Sequence, residues 1–192
     1  MRFTINRETF LKSLRLVSKP VPSKAFIASL VFIKLVLDDR GLSLVGSGET
    51  IAISTLIPFT KDEKEIIRNY QNGAILVQGR YLVDIIAKLS GQEINFEVLD
   101  NSVVEITDER SSFQLNSAQV EEYPEYDFNE AGTEFKINAK ELILLVEQTS
   151  FAAATRENRP MLTALNITGE GNQITAVALD SARYASKKIT IN

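Results

Sequence analysis

The chain contains neither cysteine nor histidine among its 192 residues. The lack of cysteine excludes disulfides, thiolate nucleophiles and cysteine metal sites, and it fits a reducing cytoplasm. The lack of histidine removes the usual general base near neutral pH and the commonest metal ligand. Catalysis would have to come from carboxylates or from a serine–lysine pair, so we expect no catalytic residue, no metal and no cofactor.

No apolar run reaches the ~18 residues that a membrane-spanning helix requires. Met1-Arg2-Phe3-Thr4 passes directly into a strand-like pattern, so we expect no signal peptide and no membrane partner. The formal net charge is −4 and the sequence pI is about 5.1. Contact with nucleic acid would therefore require a local basic face, because the overall field is negative.

An internal repeat is the strongest positive signal in the sequence. Residues 3–59 match residues 135–191 at a constant offset of 132 residues and without a gap. Phe3-Thr4-Ile5-Asn6 falls on Phe135-Lys136-Ile137-Asn138, and the order of apolar and polar positions is kept beyond them. Duplicated units that stack on each other form extended, curved structures more readily than a single catalytic cleft.

The first copy of the repeat predicts the order strand, helix, strand, strand, strand. Residues 2–6 form the expected first strand, and Asn6 is suited to cap the helix that follows. Apolar residues recur at helical spacing from Phe10 to Val17. The three later strands are expected at 30–37, 42–45 and 51–57.

A more diverged copy is expected over residues 75–117. Residues 60–73 before it are predicted to be a charged connection that ends in the turn signal Asn72-Gly73. Asp100-Asn101 is an expected turn between two strands. The predicted elements are a strand at 75–78, a helix at 80–89 and strands at 94–99, 103–107 and 112–115.

These patterns predict an α+β protein built from repeated β-α-β-β-β units. We assign 1–120 to a first domain of two units, 121–133 to an acidic linker, and 134–192 to the first half of a second domain. A half-domain leaves a sheet edge and an apolar face uncovered, so we expect the chain to be part of a longer one. The elements expected in this half are a strand at 134–138, a helix at 140–151 and strands at 162–168, 172–178 and 183–191.

Three stretches resemble one family, and the resemblance follows the whole chain in order. The amino terminus of bacterial DNA polymerase III beta subunits, the sliding clamps, is similar to Met1-Arg2-Phe3-Thr4-Ile5 with the later Arg7, Leu11, Leu14 and Val17-Ser18. The end of their first domain resembles Phe113-x-Leu115 followed by Glu122-Tyr123-Pro124. A strand–turn segment of their second domain resembles Val177-Ala178-Leu179-Asp180-Ser181-Ala182-Arg183-Tyr184-Ala185.

The resemblance implies a DNA-clamp fold, in which two identical three-domain subunits close a ring with helices on its inner face and antiparallel sheets on its outer face. It implies a processivity factor of the replicative polymerase that has no chemistry of its own. The implied partners are double-stranded DNA bound without sequence preference, the DNA polymerase III catalytic subunit, the clamp loader and a second copy in the ring. The implied location is the cytoplasm, at the nucleoid. Without a third domain, this stretch should not close a ring alone.

Cations on the two predicted helices of the first domain are the candidate DNA contacts. Lys12, Arg15 and Lys19 follow the spacing i, i+3, i+7, which places them on one helix face. Arg80 and Lys88 share a face of the second helix. Lys24 and Arg156 occupy equivalent positions of the repeat. An ordinary solvated helix face is the alternative interpretation, but recurrence between copies and the family resemblance favour contact with duplex phosphates.

Two further surfaces follow from the resemblance. A pocket for partner peptides is implied at Arg159, Leu162, Leu179, Asp180, Ser181, Ala182, Arg183 and Tyr184. Family members are expected to have Thr-Asp-Gly/Ser-His-Arg-Leu where this chain has residues 179–184, so the groove is expected to be reshaped. The ring-closing edge is implied at Phe113 and Leu115. Ordinary strand packing is the alternative for the leucines of the pocket, and a core-facing position is the alternative for both edge residues.

Two other functions remain open from the sequence alone. One is a repeat-built module that binds proteins through its sheets and ignores DNA. The other is a carboxylate-dependent hydrolase, which would need two converging acidic side chains, and no such pair is evident.

Overall fold

The computed structural model describes residues 1–100, 102–128, 132, 134–156 and 159–191. The chain divides into two compact units, Met1–Asn129 and Glu130–Asn192. The expected turn at Asp100-Asn101 involves a residue outside the described part, and positions 129–131 and 133 of the expected linker also lie outside it.

Helices and strands of the first unit follow the predicted order closely. Its two α-helices are α1 (Arg7–Val17) and α2 (Gly79–Lys88), and two short 3-10 helices lie at Ala28–Val31 and Val120–Glu122. The described strands of this unit are β1 (Arg2–Asn6), β2 (Phe32–Asp38), β3 (Gly41–Ser47), β4 (Ala52–Ile57), β5 (Thr60–Lys61), β6 (Lys64–Glu65), β7 (Ile67–Gln71), β8 (Gly73–Gln78), β9 (Glu93–Asp100), β10 (Val103–Thr107) and β11 (Ser112–Ala118).

Helix α1 begins where the sequence predicts. The Asn6 side-chain oxygen accepts a hydrogen bond from the Thr9 backbone N–H at 3.0 Å. This bond satisfies a first-turn N–H that has no carbonyl partner within the helix. Phe10, Leu14 and Val17 are fully buried, so one stripe of α1 faces the sheet.

Nine strands form one sheet in the order β4-β3-β2-β8-β11-β10-β9-β1-β7. The two halves of the unit exchange strands within it. β1 of the first half pairs antiparallel with β9 of the second half, while β8 of the second half pairs antiparallel with β2 of the first. Because β1 and β8 occupy equivalent positions in their halves, as do β2 and β9, the exchange is reciprocal.

One apolar core lies beneath this sheet and draws on both halves. Phe3 of β1 stacks on Phe96 of β9 with ring centroids 4.8 Å apart, and it contacts Phe10 of α1 edge-on at 6.0 Å. Helices α1 and α2 also pack against each other. The first unit is therefore a single core shared by two copies of the repeat.

The segment 60–73 is not a simple charged connection, as predicted, because it contains β5, β6 and β7. β7 pairs with β1 and forms an edge of the large sheet. Only Ile67 of its five residues is buried, and Asn69 has a positive φ of 48°. The segment therefore lacks the regular alternation of apolar and polar residues from which a strand can be predicted.

The second unit repeats the first half of the first unit. Helix α3 (Ala139–Ser150) packs on a three-stranded antiparallel sheet of β12 (Asn166–Glu170), β13 (Gln173–Leu179) and β14 (Tyr184–Thr190). At the offset of 132 residues, the 3-10 helix Ala28–Val31 falls on Pro160–Thr163, and β3 falls on β13. These matching bounds confirm the internal repeat.

Two predictions for the second unit were wrong. No strand forms at 134–138, and no described strand of this unit pairs with these residues, whereas β1 pairs with both β7 and β9. The strand predicted at 162–168 starts only at Asn166, because the 3-10 helix Pro160–Thr163 precedes it. The strand predicted at 30–37 is shortened for the same reason, since Ala28–Val31 is also a 3-10 helix.

Candidate nucleic-acid and partner surfaces

A basic groove runs between helix α1 and strand β4. Its volume is about 590 Å³, and Lys12, Arg15 and Lys19 all line it. The structure therefore brings these three predicted cations together on one exposed surface. Apolar atoms of Leu16, Leu56 and Pro58 lie in the same lining, and the groove is completed by Glu8, Thr9, Ser13, Thr55, Ile57 and Lys61.

The core packing of α1 explains this arrangement of charges. Phe10, Leu14 and Val17, with Leu11 beside them, hold one side of the helix against the core, so Lys12 and Arg15 point to solvent. Lys19 is exposed two residues beyond the end of α1. Across the described residues, neither Lys12 nor Arg15 takes part in an ion pair, so both ammonium and guanidinium groups are free for a ligand. Glu8 is the one acidic residue in the groove lining, so the lining is predominantly positive.

The cations predicted on α2 are exposed as well. Arg80 lies at the start of α2 and lines a pocket of about 260 Å³ with the loop that follows α1. Lys88 lies in the last helical turn, where a cation interacts favourably with the helix dipole. Lys24 is exposed in the loop between α1 and the 3-10 helix Ala28–Val31.

Arg156 belongs to the second unit. It is exposed in the loop between α3 and the 3-10 helix Pro160–Thr163, just as Lys24 lies between α1 and Ala28–Val31. The repeat therefore places a cation in the same loop of both units. Contact of these cations with DNA remains a prediction.

Residues 179–184 form a tight turn between β13 and β14 that Asp180 organises. The Asp180 carboxylate accepts hydrogen bonds from the backbone N–H groups of Ala182 and Arg183 at 2.8 and 2.6 Å, and from the Arg183 guanidinium at 2.6 and 2.9 Å. The Ala182 N–H makes the largest contribution, and together these donors lower the pKa of the Asp180 carboxyl to about 2. Arg183 is thus engaged inside the turn.

The apolar residues predicted for the peptide pocket are not fully buried in the core of the second unit. Ala178 and Ala185 are buried, and the neighbouring Leu179 and Tyr184 are exposed. Packing within the described part of the second unit therefore does not explain why an apolar side chain occupies position 179. Leu162 is partly buried in the 3-10 helix, and its carbonyl accepts a hydrogen bond from the Ala154 N–H at 2.9 Å. Arg159, Ser181 and Ala182 are exposed.

The predicted ring edge lies on β11. Phe113 and Leu115 face Ile106 and Val104 of β10 across the antiparallel ladder. Phe113 is 40% exposed, whereas Leu115 is partly buried and packs against the core. The described pairing of β11 with β8 involves only Ser117 and Ala118, so residues 112–116 have one side without a described strand.

Two features of the first unit escape prediction from sequence. Lys61 joins Lys12, Arg15 and Lys19 in the groove, although it lies more than forty residues further along the chain.

Tyr123 and Tyr126, within the predicted linker, contact β3. The Tyr123 hydroxyl donates to the Val45 carbonyl at 3.3 Å, and the Tyr126 and Ser47 hydroxyls are hydrogen-bonded at 2.6 Å. Burial raises the pKa of the Tyr123 hydroxyl. Aromatic residues inside an acidic segment are the one sequence signal for this contact.

Neither a metal site nor a membrane span is found in the described residues. They contain no group of three or more acidic side chains placed to hold a metal ion. None of their helices is both long enough and apolar enough to cross a lipid bilayer.

Two family models together match most of the chain. The model of the N-terminal domain of the DNA polymerase III beta subunit matches residues 1–127, and the model of its central domain matches residues 136–192. The chain therefore belongs to the DNA polymerase III beta subunit family, and its α+β architecture is the DNA-clamp fold, as predicted.

Several relatives carry the name beta sliding clamp. The chain is 36% identical over 191 residues to that of Halalkalibacterium halodurans and 34% identical over 192 residues to that of Bacillus subtilis. Both comparisons cover 100% of this chain, and they cover 50% and 51% of the length of those two proteins. The chain thus spans about half the length of the relatives it matches.

Solved structures agree with these relatives. The crystal structure of the DNA polymerase sliding clamp from Bacillus subtilis gives a TM-score of 0.94 at 34% identity, covering 100% of this chain and 50% of that one. The crystal structure of the DNA polymerase III beta chain from Streptococcus pneumoniae gives a TM-score of 0.92 at 26% identity, covering 100% of this chain and 51% of that one.

Proposed function

We propose that the protein containing this chain is a sliding clamp, which encircles duplex DNA and tethers the replicative polymerase to it without catalysing a reaction itself. The basic groove of Lys12, Arg15 and Lys19 in a member of the beta subunit family carries this proposal. Its place of action is the cytoplasm, at the nucleoid.

Electrostatics explain how such a surface serves sliding. Exposed lysine and arginine side chains attract phosphates without regard to sequence, and each contact is weak and sensitive to salt. The formal net charge of −4 weakens attachment of DNA elsewhere on the surface. Retention then comes from encirclement, while tethering raises the effective concentration of the polymerase at the primer end.

The experiment compares two triple variants of the complete protein. In the first, Lys12→Gln, Arg15→Gln and Lys19→Gln remove the charges of the groove. In the matched control, Arg2→Gln, Arg110→Gln and Lys188→Gln remove the same charge from exposed positions on strands and turns. Processive synthesis on a primed template and duplex binding are measured over a range of salt concentrations.

We expect the groove variant to shorten processive synthesis and to reduce the slope of log affinity against log salt by about 0.9 for each lost phosphate contact. The control should keep both properties. Equal effects in the two variants would show that only net charge matters, and the proposed DNA surface would then be wrong.

Partner binding is proposed at the exposed apolar residues near the β13–β14 turn. Leu179 is 41% and Tyr184 69% exposed, so both are available to an apolar peptide segment of the polymerase III catalytic subunit or the clamp loader. Leu179→Asp should weaken binding of the catalytic subunit to the complete protein in a pull-down, while Tyr70→Asp, at a 51% exposed site of the first unit, should not. Equal binding by both variants would exclude this pocket.

Ring closure is proposed at the open side of β11. Phe113→Asp places a charge beside that edge and should lower the dimer content of the complete protein in analytical ultracentrifugation. Phe128→Asp, at a comparably exposed phenylalanine, is the control and should leave the dimer intact. An intact dimer in the Phe113 variant would place the interface elsewhere.

A further inference from the structure

One phenylalanine of the first unit lies almost entirely in solvent. Phe26 is 97% exposed, more than any other large apolar side chain in the described part of the chain. It belongs to the loop of residues 19–27, which follows α1. In the second copy of the repeat, Lys24 of this loop falls on Arg156, whereas Phe26 falls on Asn158. The repeat therefore keeps the cation of the loop, and neither core packing nor the repeated fold explains the phenylalanine.

Phe26 borders a small pocket with apolar walls. The pocket has a volume of about 420 Å³, within the range of roughly 300–1,000 Å³ that is typical of pockets for small organic groups. Ile27, Leu30 and the Tyr126 ring also line it, and Glu49 is the one charged residue among those described in its lining. The Tyr126 hydroxyl is hydrogen-bonded to a hydroxyl of β3 at 2.6 Å, which holds the ring in place. The pocket can therefore accept a flat apolar group, whereas the carboxylate of Glu49 disfavours an anion there.

Two cations lie close to Phe26. Lys24 is exposed two residues before it in the same loop. Arg80 is exposed at the start of α2 and lines a second pocket together with Ser23. Because Ser23 and Phe26 are three residues apart, their Cα atoms are at most about 11 Å from each other. Among the described residues neither cation forms an ion pair, even with Asp84 in that second pocket, so both can bind a phosphate.

An aromatic ring beside cations is the arrangement by which many proteins hold single-stranded nucleic acid. An unpaired base has a flat face that stacks on the ring, while the backbone phosphates contact lysine or arginine. A duplex does not offer such faces, because its bases stack on one another and expose only their edges in the grooves. The surface around Phe26 is therefore suited to a single strand rather than to a duplex.

We propose that Phe26 stacks on an unpaired base of the template strand beside the end of the primer, with Lys24 and Arg80 on the neighbouring phosphates. This inference rests on the proposed binding of DNA and extends it from the duplex to the single-stranded template. The base occupies the apolar pocket next to Tyr126, and the phosphates stay outside it, away from Glu49. A clamp that holds one unpaired base has a preferred position at the junction of primer and template, and it slides freely on duplex, where no base is free to stack.

The experiment uses the complete protein and a primed template that carries 2-aminopurine at successive single-stranded positions. The fluorescence of this base analogue falls when it stacks on an aromatic ring. We expect the parent protein to quench it next to the primer end, and Phe26→Leu to raise the dissociation constant for that template about tenfold, within the range for one stacked base. Phe26→Tyr should keep the quenching, because its ring also stacks. Tyr70→Leu, at a 51% exposed tyrosine of β7, is the control and should change nothing.

Salt dependence separates stacking from charge. Phe26→Leu should weaken binding to the primed template equally at every salt concentration, because stacking releases no counterions. Lys24→Gln should instead reduce the slope of log affinity against log salt by about 0.7, the value for one phosphate contact to a single strand. A slope that falls in the Phe26 variant and stays constant in the Lys24 variant would contradict the assigned roles.

Binding to fully paired duplex distinguishes this inference from the proposed function. Phe26→Leu should bind duplex as the parent does, whereas the groove variant of Lys12, Arg15 and Lys19 should bind it more weakly. Quenching that Phe26→Leu leaves unchanged, with duplex binding intact, would overturn the stacking proposal alone, and it is also the result expected if Phe26 binds a protein partner. A parent protein that binds no duplex would overturn the proposed function, and the quenching at single-stranded positions would still test the stacking.

Discussion

The contact between Ser47 and Tyr126 holds the segment after residue 120 against β3, and its contribution to the free energy of unfolding can be measured. Ser47 is fully buried on β3, and its hydroxyl lies 2.6 Å from the Tyr126 hydroxyl and 2.8 Å from the Gly48 carbonyl oxygen. Tyr126→Phe removes one hydrogen bond and should cost about 1 kcal/mol of unfolding free energy. Ser47→Ala removes this bond together with the one that the Ser47 hydroxyl proton makes to the Gly48 or Ile51 carbonyl oxygen, and it should cost about 2 kcal/mol.

The double variant tests whether the two hydroxyls act on each other. If they do, it should cost about 2 kcal/mol rather than the ~3 kcal/mol expected of independent sites, which gives a coupling of about 1 kcal/mol. Urea unfolding followed by far-ultraviolet circular dichroism measures these values, and Tyr70→Phe at a 51% exposed tyrosine is the control, with a change below about 0.5 kcal/mol. Additive costs would refute the direct contact between the Ser47 and Tyr126 hydroxyls.

Three further predictions concern the helix cap, the shared core and the β13–β14 turn. Asn6→Ala removes the Asn6–Thr9 cap and should lower the unfolding free energy by about 1 kcal/mol in urea titration, whereas an unchanged midpoint would contradict the role of the cap. Phe96→Ala should cost about 3–5 kcal/mol in the same assay, because the ring is buried against Phe3, while Phe26→Ala at a 97% exposed phenylalanine should cost less than about 0.5 kcal/mol. The Asp180 carboxyl has a pKa of about 2, below its unfolded value of about 3.9, so its stabilisation of the turn is present above pH ~4 and is lost as the pH falls towards 2. Amide chemical shifts of residues 182 and 183 should report this midpoint by NMR, and a midpoint near 4 would show that the hydrogen bonds to Asp180 do not form.

The sequence predicted those elements that depend on neighbouring residues, such as a helix cap or a helical spacing of apolar side chains. The cap residue Asn6 and the helical spacing after it placed α1 within one residue of its observed end, and the constant repeat offset placed α3 and β13. The cationic face of α1 also followed from local spacing, because burial of Phe10 and Leu14 leaves the opposite side to solvent.

The features that prediction missed depend on residues distant in sequence. β7 pairs with β1, whereas no described strand of the second unit pairs with residues 134–138. Lys61 reaches the groove only through the position of β4 beside α1. These contacts join residues that are far apart in the sequence, so the propensities of neighbouring residues cannot predict them.

The reciprocal exchange of strands has a consequence for synthesis on the ribosome. β1 is made first, but its partner β9 begins only at Glu93. At about 5–20 residues per second, the nascent chain waits roughly 5–20 s for that partner to be translated. Until then β1 lacks one of its two strand neighbours and Phe3 lacks the ring on which it stacks, so the amino-terminal half completes its folding only after its sister half has emerged.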